Sequence, residues 1–170
     1  MSKYFKTAYQ FGGLGGILSV LAFFILSFFY VDPTNLTLLF GYVITPIAIF
    51  LAIKFFKEYS NGGYLSFAEG MSVGFVTYVL IGLVSAFGIW IILTISPSLF
   101  EQIKLSKFDV LEQGKETIIS QVGENSFDAT LVSIKEMSKL DVSINDGLWK
   151  IIPGLFFTII ISIILRKNPN

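Results

Sequence analysis

A chain of 170 residues in which 54% are apolar and only 14% charged lies outside the range of soluble domains, where charged residues make up about a quarter. Its formal charge of +0 excludes the strongly basic face that nucleic acid demands, so no nucleic-acid partner is expected. Cysteine and histidine are both absent, which removes disulfides, thiolate nucleophiles, the commonest general base and the commonest transition-metal ligands.

The apolar residues fall in long blocks rather than in amphipathic alternation, so the expected partner is the lipid bilayer. The expected fold class is an all-α membrane protein, one membrane domain over 1–170 with four transmembrane helices. Phe11 to Val31 is the first span, preceded by Lys3 and Lys6. It is too long for the apolar region of a signal peptide, and Phe28-Phe29-Tyr30-Val31-Asp32-Pro33 is a poor cleavage site. Asp32-Pro33-Thr34-Asn35 is a tight turn, and Leu36 to Phe56 is the second span, with Pro46 inside it and Lys54 and Lys57 closing it.

After a polar connection from Glu58 to Tyr64, Ser66-Phe67-Ala68-Glu69 has the spacing of a capping box and opens the third span, expected over 67–95. Pro97 marks its end. From 98 to 147 the composition becomes that of a soluble segment, with Lys104, Lys107, Lys115, Lys135 and Lys139 among the acidic residues from Glu101 to Asp146. Phe100, Ile103, Phe108, Leu111, Ile118 and Val122 fall on one helical stripe, and Phe127, Leu131, Ile134 and Met137 on another beyond Gly123-Glu124-Asn125. The expected form is a hairpin of two amphipathic helices, weakened at Gly114. Leu148 to Leu165 is the fourth span, with Trp149 as interfacial anchor, Lys150 placed to snorkel, and Pro153 near its start.

An even number of spans puts both termini on one side. Lys3, Lys6, Lys54, Lys57, Arg166 and Lys167 all lie on that side in short segments, so the termini are expected in the cytoplasm and the hairpin outside it. A bacterial inner (cell) membrane fits this arrangement.

Two stripes of small residues offer close backbone approach: Gly12, Gly15, Gly16, Ser19 and Ala22 in span one, and Gly70, Gly74, Thr77, Ser85 and Gly88 in span three. They pack the monomer together or, on the functional reading, form a homo-oligomer interface or line a solute path. Glu69 is the one ionisable residue read as lying within a span away from its ends. Its spacing from Ser66 makes it a helix cap with Lys54 or Lys57 as ion-pair partner, and its position within a span makes it a candidate for ion or proton handling.

No serine–histidine pair, pair of intramembrane aspartates or histidine–glutamate metal site can be assembled. The hydroxyls Ser19, Thr45, Thr77, Ser85, Thr94, Thr158 and Ser162 can each bond their own helix backbone. Gly12-Gly13-Leu14-Gly15-Gly16 lacks the Lys-Ser/Thr of a phosphate loop. No enzyme activity, metal or cofactor is expected.

The layout resembles a family of uncharacterised bacterial four-span integral membrane proteins catalogued only as a domain of unknown function. The residues that carry the likeness are Gly62-Gly63-Tyr64-Leu65-Ser66-Phe67 with Gly70 and Gly74 behind them, the Ser96-Pro97 exit, the charged helical insert, and a final span ending in basic residues. The resemblance implies the four-span topology and carries no catalytic or ligand residue. The functional expectation is a non-enzymatic scaffold or accessory protein that meets a membrane or envelope protein through Phe108, Leu111, Ile118, Leu131 and Ile134 on the hairpin. The alternative is a small oligomeric channel or transporter.

Overall fold

The computed structural model describes residues 3–168. They form seven α-helices: α1 Lys3–Leu26, α2 Thr34–Phe55, α3 Phe67–Ile95, α4 Pro97–Gln113, α5 Lys115–Val122, α6 Glu124–Glu136 and α7 Lys139–Leu165. One wider π turn, Phe56–Ser60, continues α2. Four of the helical segments are long and apolar enough to cross a membrane: Lys3–Leu26, Thr34–Ser60, Phe67–Ile95 and Lys139–Leu165.

The first helix starts and stops earlier than the apolar run suggests, because Lys3 to Gln10 winds into the same helix and Ser27 to Phe29 forms a turn instead of continuing it. The fourth span differs more. Its helix begins at Lys139 and not at Leu148, opened by a second capping box in which Ser138 Oγ accepts from the Asp141 amide and the Asp141 carboxylate accepts from the Ser138 amide. Pro153 therefore sits in the helix interior, where it removes the donor that the Trp149 carbonyl would receive in an unbroken helix.

Between α3 and α7 lies a three-helix insert rather than the expected hairpin of two. Gly114 separates α4 from α5, and Gly123, at φ 86°, separates α5 from α6. The insert is anchored in the bundle. Leu99, Phe100 and Ile103 of α4 are buried in one cluster with Phe23 of α1, Ile89 and Leu93 of α3, and Val142 of α7.

The opposite end of the bundle gathers the N-terminus, the α2–α3 connection and the C-terminal segment. Lys57 Nζ donates to the Leu165 carbonyl at 2.9 Å, and Leu65 and Lys167 exchange backbone hydrogen bonds of 2.9 Å as an isolated β-bridge. Exposed Lys3, Lys6, Lys54, Arg166 and Lys167 all belong to these segments.

Helix α3 is the central strut, packed on α1 along one side and on α7 along another. The stripe expected as one face of α3 divides between the two. Gly12 of α1 lies under Leu80 and the Thr77 carbonyl, Gly15 under Ile81, Gly16 under Val84, and Gly88 of α3 under Val20. Toward α7, Gly70 faces Ser162, Gly74 faces Thr158, Gly82 faces Ile151 and the Gly147 carbonyl, and Gly154 of α7 faces Tyr78. Both small-residue stripes thus pack within the monomer, where close approach replaces the hydrophobic force that lipid does not supply.

A side chain at Gly74 would overlap Thr158, whereas one at Gly13 would meet nothing within 4 Å. Gly74→Leu is expected to destabilise the bundle by about 3 kcal/mol or more, and Gly13→Ala to be neutral or stabilising by up to about 1 kcal/mol. Reversible unfolding in mixed micelles measures both.

Candidate functional site: a buried ion pair under a polar pocket

Starting α7 at Lys139 carries Asp146 and Lys150 into the bundle. They stand four residues apart, on the same helical face as Gly154, Thr158 and Ser162. This stripe of every fourth residue runs for roughly 24 Å at the α-helical rise and faces the interior. Lys150 Nζ donates to Asp146 Oδ2 at 2.6 Å, with the side chains 0% and 6% exposed. Ser85 Oγ of α3 donates to the same oxygen at 2.7 Å.

Lys150 does not snorkel. Its stem lies against Gly41 of α2, where an added Cβ would stand 3.2 Å from Lys150 Cε and 3.3 Å from Cγ. Trp149, on the next face, is 45% exposed. The expectation that Lys150 reaches the interface fails because the helix begins two turns earlier than the apolar run, so Lys150 lies well inside it.

Other polar groups line the same interior. Thr37, Ser19 and Thr77 donate to the carbonyls four residues before them, as hydroxyls in apolar helices commonly do, and exposed Thr94 does the same outside that interior. Thr45, Thr158 and Ser162 depart from that expectation, since their buried hydroxyl oxygens have no hydrogen-bond partner. Ser85 departs too, because it bonds Asp146. The interior of α2, α3 and α7 is therefore more polar than its apolar composition suggests.

Above the ion pair, between the insert and the bundle, opens a pocket of about 600 Å³ lined by Thr34, Leu38, Lys107, Ser133, Glu136, Met137, Asp141, Val142, Asn145 and Asp146. Lys107 of α4 clasps its rim, 3.0 Å from Asp32 Oδ2 and 3.0 Å from Thr34 Oγ1. Asp146 thus belongs both to the pocket wall and to the buried pair.

Glu69 has cap geometry. Its Oε2 accepts from the Ser66 amide at 3.0 Å, and Ser66 Oγ accepts from its amide at 3.2 Å. Its ion-pair partner is Lys3, at 3.1 Å, and neither Lys54 nor Lys57. Asn61 Nδ2 also donates to it at 3.1 Å, so this carboxylate ties the α2–α3 connection to the N-terminus.

The residues expected as partner contacts are only partly available. Leu111 is buried, while Phe108, Ile118, Leu131 and Ile134 are half-buried within the insert and against the bundle. Sequence reasoning missed Asp146 and the inward role of Lys150. The legible signal was Ser138-Lys139-Leu140-Asp141, a capping-box spacing that starts a helix upstream of both.

The fold and this interior define a multi-pass, four-helix α-helical membrane protein with a helical insert capping one end. The family described as "Protein of unknown function (DUF4199)" matches residues 10–167, and the chain belongs to that family. No curated protein and no solved structure matches the chain.

Removing one member of a buried pair strands the other charge, at a cost of about 3–5 kcal/mol, while replacing both with apolar residues is often neutral. Lys150→Met is therefore expected to destabilise strongly, and Lys150→Met with Asp146→Leu to recover most of the loss. Unfolding of both proteins in mixed micelles tests this, and equal losses in the single and double variants would contradict it.

Proposed function

We propose that this protein is a non-enzymatic membrane protein that binds a small polar solute in the pocket between the insert and the bundle, with the insert as its cap. The observation that supports this reading is the pocket of about 600 Å³ with buried Asp146 in its wall. Small-molecule sites are concave, partly apolar, of several hundred Å³, and carry a few convergent polar groups. Ionisable residues held inside a membrane bundle mark solute or ion sites by default.

The reading moves the solute-handling alternative ahead of the scaffold. Asp146 supplies a carboxylate in the pocket wall, held in place by Lys150 and Ser85. Passage across the membrane would further require the Lys150 stem to leave Gly41. The second reading, an accessory protein that meets an envelope partner through the insert, is favoured by exposed Leu105, Val110, Val122 and Val132. We infer that the insert and pocket lie outside a bacterial inner membrane and the termini in the cytoplasm, a reading supported by the basic residues gathered at the other end.

Purified protein in lipid nanodiscs, screened by thermal shift against small polar metabolites, is expected to be stabilised by at least one of them, as selective binding to the folded state requires. Asn145→Trp, which fills the pocket from its exposed wall, is expected to abolish that shift. Absence of any stabilising solute, with crosslinking of one envelope protein from photoreactive groups at Val110 and Val122, would transfer the assignment to the accessory reading.

The native chain has no cysteine, so single cysteines report orientation cleanly. Glu124→Cys is expected to react with a membrane-impermeant maleimide in spheroplasts, and Glu58→Cys only after lysis. The reverse pattern would invert the topology.

A further inference from the structure

We propose that the pocket takes an organic cation, an amine- or guanidine-bearing solute with a short hydrocarbon body; this rests on the solute-binding reading above and names its ligand class. Lys107 is the only cationic side chain in the wall among the described residues, and Asp32 and Thr34 hold its Nζ at the rim. Three carboxylates stand against it: Glu136, Asp141 and Asp146. Asp146 is offset by Lys150, but Glu136 and Asp141 have no cationic partner among the described residues, so the wall carries an excess of negative charge.

A second, independent feature lies in Asp146 itself. The residue is 5% exposed, and both of its bonds, from Lys150 and Ser85, go to Oδ2. Oδ1 accepts no protein hydrogen bond and is open to the pocket rather than sealed beneath it, so an N–H donor from a ligand can reach it. Asn145 and Ser133 add further acceptors, and Leu38, Met137 and Val142 provide an apolar wall for methylene groups.

The ligand is an organic cation rather than a metal ion. Among the described residues no three Asp, Glu, His or Cys side chains converge closely enough to hold a metal. Spread carboxylates with apolar surface between them suit a cation that has length.

The test is calorimetric titration of the full chain in phosphatidylcholine nanodiscs, corrected against empty discs. The probes are 1,5-diaminopentane, 4-aminobutylguanidine, pentane-1,5-diol and pentanedioate, of similar length and graded charge. One of the two cations is expected to bind at least tenfold more tightly than the diol and the dianion, and to lose at least fivefold in Glu136→Gln. That side chain is exposed and makes no hydrogen bond or ion pair, so its replacement leaves the fold intact. Preference for the diol or pentanedioate, abolished by Asn145→Trp, would overturn the cation class and leave solute binding standing. The cation class is equally overturned if neither cation binds while a metabolite from the thermal-shift screen does. If no probe and no metabolite binds, both readings fall.

Discussion

The structure depends on how closely α3 and α7 approach each other. In a bilayer, helices gain little from hiding apolar surface from one another, and the association rests on van der Waals contact and shared hydrogen bonds. Gly70, Gly74 and Gly82 on α3, with Gly147 and Gly154 on α7, bring the two backbones together with side chains of one helix seated over bare backbone of the other. The spacing of four that aligns Gly70, Gly74 and Gly82 also aligns Asp146, Lys150, Gly154, Thr158 and Ser162 on the partner helix. The contact that holds the bundle is thus the one that turns polar side chains inward.

Those inward groups explain why the site is an ion pair and not a lone charge. A buried lysine without a carboxylate would neutralise or force the helix apart, whereas Asp146 one turn away meets it at 2.6 Å and Ser85 meets the same oxygen from α3. Gly41 makes room for the lysine stem, so three helices contribute to a single buried arrangement. Such a pair is weak as a source of stability compared with well-packed apolar residues. Asp146 of the pair stands in the pocket wall, while the partnerless hydroxyls of Thr158 and Ser162 lie farther along α7, roughly 12 and 18 Å from Lys150 at the helical rise.

The span count and the cap at Ser66 to Glu69 are legible in the sequence because apolar run length and local spacing determine them, and the structure has four candidate spans and that capping box. The site is not. Lys139, Asp141 and Asp146 give their segment a soluble composition, so the apolar run alone marks a helix start at Leu148. The true start is set by a local capping bond at Ser138, and a helix once nucleated continues through polar residues when their inward faces find partners. Lys150 has the look of a snorkelling residue only because it stands so near that apparent start. Its partner Asp146 is held from α3 by Ser85, 61 residues back along the chain and beyond the reach of any local pattern. The partner of Glu69 is hidden for a similar reason: Lys3 precedes the apolar run of span one, yet α1 includes it and brings it over the α2–α3 connection.

The insert gains a different meaning from this arrangement. Had its apolar stripes been free, they would have asked for a partner protein. Instead Leu99, Phe100 and Ile103 are buried with Phe23, Ile89, Leu93 and Val142, and Lys107 clasps Asp32 and Thr34 at the turn between α1 and α2. The insert is thereby the roof of the pocket, since Lys107 of α4 and Ser133 and Glu136 of α6 stand in its wall opposite Asn145 and Asp146 of α7. The wall of the pocket therefore depends on how the insert is seated, and its seat is set by the buried cluster around Ile103 and by the Lys107 clasp.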